Sequence, residues 1–265
     1  MYSPLQIAWR YLQYWIKSSN KNGHGMHSPF VYELIEQVLT DDRTFYIFPL
    51  IESAREELYN ETSAIHIIDY GAGSKVNSSN TRVIGDIAKS ALKPPKFGQL
   101  LFRLVNHFRA ASILELGTSL GITTSYLAAA DPQAKVVTLE GAPEIAKLAK
   151  RHFQYIGLNN IELVVGNFDD TLASVLLNMK SLDFVFVDGN HRKEPTIRYF
   201  NMMKPYLHEY SVLIFDDIHW SKEMEQAWKA IQEDKMVTLT VDLFFIGLVF
   251  FRKEQKKKQH FIVQF

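Results

Sequence analysis

From Phe97 to Phe251 the chain alternates helix-like and strand-like segments with little between them, and that alternation leaves few folds open. Apolar runs at 112–116, 135–140, 161–165, 183–187, 211–215, 236–243 and 246–252 read as strands. Stretches at 97–109, 121–130, 143–156, 169–179, 194–204 and 221–233 read as helices. Strands that alternate with helices pair in parallel, because each helix carries the chain back along the sheet. Only the last two strands lack a helix between them. Their link, with Gly247 nearby, is too short for a crossover and allows only an antiparallel pair. The expectation is an α/β, mostly parallel, seven-stranded sheet with an antiparallel last strand, preceded by an N-terminal helical extension.

Within this frame the stretch Ile113-Leu-Glu-Leu-Gly-Thr-Ser-Leu-Gly121 is the most informative. An apolar strand ends at Glu115, a small-residue turn follows, and a helix opens at Ile122. Strand, glycine-rich turn and helix N-terminus together form a nucleotide-binding crevice. Glu115 at the strand's end would repel a pyrophosphate and suits a ligand with a cationic or amine group, which points to S-adenosylmethionine rather than a dinucleotide. The turn is also not GxGxxG, which disfavours a nicotinamide oxidoreductase. A second acid, Glu140, closes the next strand about twenty residues on, where an acidic side chain can grip ribose hydroxyls.

The chain has no cysteine, which removes disulfides, thiolate metal sites and a cysteine nucleophile. Its 29 basic and 29 acidic residues cancel, so bulk charge points to no nucleic-acid partner. No apolar stretch is long enough to span a bilayer, and the start does not read as a signal peptide, so the expected compartment is the cytoplasm. Residues 1–95 read as a mainly helical extension or cap and 96–265 as the core domain. Ser28 is a plausible N-cap with Pro29 in the first turn. Tyr11–Lys17 is aromatic and amphipathic, suited to a membrane surface or, on base rates, to packing on the domain or on a second subunit. A homodimer through these helices is one expectation. Ile67-Ile-Asp-Tyr-Gly-Ala-Gly-Ser74 imitates the glycine-rich turn, but no helix start and no second acid-ended strand follow it.

Over Phe97–Phe251 the chain resembles the class I S-adenosylmethionine-dependent methyltransferases, a Rossmann-like fold, and within them the catechol-type and macrolide-sugar O-methyltransferases. The resemblance implies a methyltransferase that acts on an oxygen of a small-molecule acceptor. A non-catalytic S-adenosylmethionine-binding interaction protein is the alternative. Carried over by position, Glu115, Gly117, Thr118, Ser119 and Gly121 would surround the methionine part of the cofactor. Glu140 and Gly141 would meet the ribose. Asn167 and Phe168 would meet the adenine, although Phe168 suits core packing equally. Asp188 would border the cofactor from the end of the 183–187 strand.

Asp188, Asp216 and Asp217 close two adjacent apolar strands and converge at one sheet edge. Clustered carboxylates repel one another unless a cation or proton intervenes, and oxygen ligands suit magnesium or calcium. The resemblance implies a divalent metal such as Mg2+ on these residues. Here Asp-Asp stands where the catechol type has Asp-Asn, and Asp217 also suits loop capping or a helix N-terminus. His191, three residues after Asp188, matches the DxxH spacing of the macrolide-sugar branch, in which the histidine is the base; a solvent-exposed loop histidine is the plainer alternative. Lys193 is the other candidate base. His219 and Trp220 are candidates to line the pocket, and Met202, Met203 and Trp228 read as core.

Overall fold

A computed structural model describes residues 1–18, 27–66 and 81–265. The imitation turn at 67–74 lies outside them. The described residues fall into two compact units, Met1–Asp41 with Lys180–Phe265, and Asp42–Met179.

The first unit opens with α1 (Pro4–Lys17). Ser3 and Gln6 form a reciprocal capping box, and Pro4 takes the first helical position, where its missing N–H costs nothing. The next helix, α2 (Pro29–Leu34), starts as the sequence predicts: the Ser28 hydroxyl accepts from the Val31 N–H. It runs on into a π-helical turn at Ile35–Leu39.

The second unit begins with α3 (Phe48–Asn60) and an antiparallel ribbon of β1 (Ala64–His66) and β2 (Thr81–Val83). Next come α4 (Ile84–Ala91) and α5 (Pro95–Phe108), separated by the expected proline break. The regular alternation then runs β3 (Ser112–Leu116), α6 (Ile122–Ala130), β4 (Lys135–Glu140), α7 (Pro143–Ile156), β5 (Ile161–Val165) and α8 (Phe168–Met179). Strands β3, β4 and β5 pair in parallel in that order, with Glu115 directly opposite Thr138. One apolar cluster joins Ile51, Leu58 and Ile87 of α3 and α4 to Leu120, Ile122, Ile145 and Leu148 around the glycine-rich turn. These helices are therefore part of the same core as the turn, not a separate layer.

The chain then returns to the first unit with β6 (Leu182–Val187), α9 (Lys193–Met203), β7 (Leu207–Asp216), α10 (Lys222–Glu233), β8 (Leu239–Asp242), β9 (Ile246–Phe250) and β10 (Gln259–Ile262). Their order is β10-β8-β9-β7-β6. Strand β9 is the reversed one and lies between β7 and β8. All seven expected strands are present, and β10, parallel to β8, is an eighth. It is a short segment with the polar start Gln259-His260, which hides it from a search for apolar runs. Trp228 and Met203 are buried as read; the Trp228 ring lies against Gly247, where an added Cβ would come within 2.6 Å of it.

Helix α1 lies on this unit. The Tyr14 hydroxyl donates to the Val263 carbonyl, and Tyr11 and Tyr14 pack against Phe244. Its other face leaves Leu5, Trp9, Leu12, Trp15 and Ile16 exposed. Among the described residues, no helix is long and apolar enough to cross a membrane.

Candidate functional site

The glycine-rich turn in the second unit bends through left-handed backbone at Gly117 (φ 107°), Ser119 (φ 48°) and Gly121 (φ 83°). Gly121 is required twice over: its φ disfavours side chains, and an added Cβ would sit 2.6 Å from Phe153. The N–H groups of Gly117 and Thr118 donate to the Leu139 carbonyl at 3.0 and 3.1 Å, which ties the turn to the end of β4. From there Glu140 reaches back. One carboxylate oxygen accepts the Ser119 N–H at 2.8 Å and the other accepts the Ala142 N–H at 2.9 Å, across Gly141. Glu140 remains partly exposed, as do Gly117 and Ser119.

Glu115 faces the other way. It is 0% exposed, and its carboxylate accepts from the hydroxyls of Thr124 and of Thr138, the latter at 2.6 Å. Thr138 in turn shares a 2.6 Å hydrogen bond with Thr118, whose side chain is also inside. Glu115 thus acts on the turn from behind, through two threonines. Neither Thr124 nor Thr138 is singled out by the sequence reading; the parallel register that sets Glu115 opposite Thr138 is the signal that finds the second. His152 on α7 completes the backing, with its Nδ1–H on the Leu120 carbonyl at 3.1 Å. Burial pushes the His152 pKa below the ordinary imidazole value, against the opposing pull of that carbonyl.

Asn167 and Phe168 follow β5, with Asn167 just ahead of α8 and Phe168 its first residue. The Asn167 side-chain oxygen accepts the Asp169 N–H at 3.1 Å, a capping bond. Both residues are partly exposed.

In the first unit, Asp188, His191 and Asp216 come together, each offering a ligand atom within 4.8 Å of the others. Asp216 ends β7 and is buried, while Asp188 and His191 are partly exposed. His191 Nε2 stands 3.4 Å from Asp188 Oδ1, and its ring meets the Trp220 ring edge-on, with centroids 5.5 Å apart. Asp217 is not in this group. It takes a left-handed conformation (φ 54°) and donates its N–H to the Phe245 carbonyl at 2.7 Å, so it shapes the loop after β7. Lys193 opens α9, its N–H on the Glu223 carboxylate at 3.2 Å. His219 is held between Asp242 (2.7 Å) and Glu225 (3.4 Å) and stacks on Phe244. Burial pulls its pKa down, but the two carboxylates outweigh burial and hold it above the ordinary value.

Two carboxylates and an imidazole can hold a divalent cation, or the carboxylates alone can hold a hard one such as magnesium and leave the imidazole as a base. Among the described residues no other three such side chains bring ligand atoms within 4.8 Å of one another.

Residues 114–218 match the model of a family described as a methyltransferase domain. The chain is 34% identical over 123 residues to a catechol O-methyltransferase of Mycobacterium tuberculosis, covering 46% of this chain and 54% of that one. It is 31% identical over 109 residues to a catechol O-methyltransferase of Niastella koreensis, covering 40% and 48%. The match thus spans about half the length of these relatives. Among solved structures, an O-methyltransferase from Bacillus cereus in complex with SAH superposes with a TM-score of 0.57 at 19% identity, covering 83% of this chain and 96% of that one. The O-methyltransferase TomG from Streptomyces achromogenes, in complex with SAM, gives 0.56 at 19%, covering 84% and 95%. The glycine-rich turn, Glu140, Asp188, His191 and Asp216 all fall within the matched segment, which is similar to the methyltransferase domains of the catechol O-methyltransferases, on a Rossmann-like fold shared with the solved O-methyltransferase structures.

Proposed function

We propose that this chain is a cytoplasmic S-adenosylmethionine-dependent O-methyltransferase acting on a hydroxyl of a small molecule. In this reading residues 96–265 form the methyltransferase domain and residues 1–95 a helical cap built into it. The observation that carries the reading is the Glu140 carboxylate, fixed by the N–H groups of Ser119 and Ala142 beside an open glycine turn. That arrangement offers carboxylate oxygens to a ribose and backbone to a methionine moiety. Bound S-adenosylmethionine supplies the electrophilic methyl group. Gly117, Ser119 and Gly121 line the methionine part, with Glu115 and Thr118 supporting the turn. Glu140 and Gly141 hold the ribose, and Asn167 and Phe168 border the adenine, with Asp188 at the edge.

Asp188 and Asp216 are the residues to hold a divalent ion such as Mg2+, whose role is to orient the acceptor hydroxyl and lower its pKa. The buried Asp216 carboxylate beside Asp188 fits that role, because two close carboxylates need a cation or a proton between them. The His191 imidazole takes the hydroxyl proton as the methyl transfers, with Lys193 as the other candidate. The protein's main work is alignment of the two reactants and exclusion of water. The exposed apolar face of α1, with Leu5 85% and Trp9 61% exposed, supports a homodimer through the N-terminal helices.

Calorimetric titration with S-adenosylmethionine tests the cofactor assignment, followed by a product screen over hydroxyl-bearing aromatics. Saturable binding with methylated product is expected. Binding without product from any acceptor favours the non-catalytic binder, and no binding removes both readings.

A further inference from the structure

The loop from Asp217 to Ser221 carries Trp220 to the side of His191, and the contacts that hold this loop come from an unexpected place. At its start the Asp217 N–H is bonded to Phe245. At its end the Ser221 hydroxyl accepts from the Met224 N–H and caps α10. Between these points, Trp220 donates its N–H to the Asp217 carbonyl at 3.0 Å and accepts at its own carbonyl from the Tyr2 N–H at 3.1 Å. Tyr2 is in turn fixed by its hydroxyl, which donates to Glu225 Oε2 at 2.7 Å. The Arg10 guanidinium lies 3.9 Å over the Tyr2 ring and 3.3 Å from the same carboxylate. The other Glu225 oxygen faces His219. One carboxylate on α10 thus gathers Tyr2, Arg10 and His219, and Tyr2 passes that anchoring on to the backbone of Trp220.

We infer that Tyr2 and Glu225 are positioning residues for the acceptor side: they fix the Trp220 indole as a wall beside His191. The inference rests on the reading of Asp188, His191 and Asp216 as the acceptor cluster. Tyr2 is bonded to Glu225 and to the Trp220 backbone, so its action runs through Trp220. The Tyr2 hydroxyl is the lock: its 2.7 Å bond to Glu225, with the Arg10 guanidinium over the ring, holds the residue whose N–H reaches the Trp220 carbonyl. Release of the lock frees the carbonyl of Trp220 to turn toward water and lets the indole leave the histidine. Acceptor binding then weakens while the glycine-rich turn, in the other unit, is untouched.

The test uses the full chain labelled with 5-fluorotryptophan, with Trp220→Phe to assign the Trp220 fluorine resonance. Tyr2→Phe, Glu225→Ala, Glu225→Gln and the Tyr2→Phe/Glu225→Ala double variant are compared. The acceptor probe is 3,4-dihydroxybenzoate, with magnesium present. Tyr2→Phe and Glu225→Ala are each expected to shift the Trp220 resonance and to raise KM for the probe about five- to tenfold, the effect of one lost hydrogen bond. S-adenosylmethionine affinity and kcat stay within about twofold, and the double variant is no worse than the more affected single one. Glu225→Gln keeps an acceptor oxygen for Tyr2 and restores most of the loss. An unmoved Trp220 resonance and unchanged KM in Tyr2→Phe would overturn the inference. If the unmodified chain does not turn over this probe, the acceptor reading is left to the wider product screen, and the Trp220 resonance alone decides whether Tyr2 holds the loop.

Discussion

Glu140 and Ser119 are 21 residues apart in sequence, and the carboxylate of one accepts the backbone N–H of the other at 2.8 Å. The bond joins the end of β4 to the turn after β3 and keeps Ser119 in its left-handed conformation. In the proposed reading the same carboxylate meets the ribose hydroxyls. Glu140→Ala should therefore weaken S-adenosylmethionine binding by about 1–3 kcal/mol, the cost of charged hydrogen bonds lost. Glu140→Gln, which keeps one acceptor oxygen, should lose less. Titration calorimetry reads both, and unchanged affinity in a folded Ala variant removes the ribose assignment.

Tyr126 sets a second expectation, this one for stability. Its ring is buried against Gly98 of α5, and its hydroxyl is bonded to Glu52 of α3 at 2.7 Å. An added Cβ at Gly98 would run into that ring, which cannot retreat without breaking the Glu52 bond. Gly98→Ala should cost about 1–3 kcal/mol of stability, typical of overpacking. Urea unfolding measures it, and an unchanged midpoint would show that the ring has room.

His152 makes the backing of the turn sensitive to pH. Its folded pKa lies below the ordinary 6.5, chiefly through burial, so the fold prefers the neutral ring. The sign follows from linkage: the unfolded chain binds the proton more readily, so acid favours unfolding. The contribution is complete above pH about 6.5 and shrinks as pH falls through that value toward the lowered folded pKa. Thermal unfolding between pH 7.5 and 5.5 should show a stability loss that His152→Gln reduces. An identical pH slope in the variant would contradict the assignment.

The alternation from Phe97 made most of the fold legible, because long amphipathic helices and apolar strands announce themselves by period. β9 was read as reversed for a physical reason, the short link beside Gly247. The tail strand β10 was not, since four residues with a polar start carry little period. The glycine-rich turn itself was legible from residue type and spacing alone. What Glu115 does was not: a carboxylate at the end of β3 reads as ligand-facing, and only the register opposite Thr138 shows that it points inward. Asp188 and His191 were paired by a three-residue spacing, whereas the separation of Asp217 from Asp216 depends on a left-handed backbone that the sequence does not advertise. The roles of Tyr2 and Glu225 depend on contacts more than 200 residues apart, beyond any local pattern.

The apolar cluster shared by α3, α4 and the glycine-rich turn bears on truncation. The sequence alone reads residues 1–95 as a helical extension or cap. Their removal would uncover Leu120, Ile122, Tyr126 and Ile145, all now buried. A chain beginning at residue 91 should therefore be insoluble or molten, as judged by yield and by near-ultraviolet circular dichroism. A soluble fragment that binds S-adenosylmethionine with unchanged affinity would show that these helices are a detachable cap.

The central claim is oxygen methylation with Asp188, Asp216 and His191 at the acceptor. The direct measurement is transfer of a labelled methyl group from S-adenosylmethionine to 3,4-dihydroxybenzoate, with magnesium, with chelator, and with Asp216→Asn and His191→Ala. The account predicts an O-methylated product that disappears with chelator and returns with magnesium, and a large loss of turnover in both variants with cofactor affinity retained. Full transfer in chelator would make the carboxylate cluster structural and leave His191 or Lys193 to act without metal. No transfer to any hydroxyl acceptor by a protein that binds the cofactor would contradict the account as a whole.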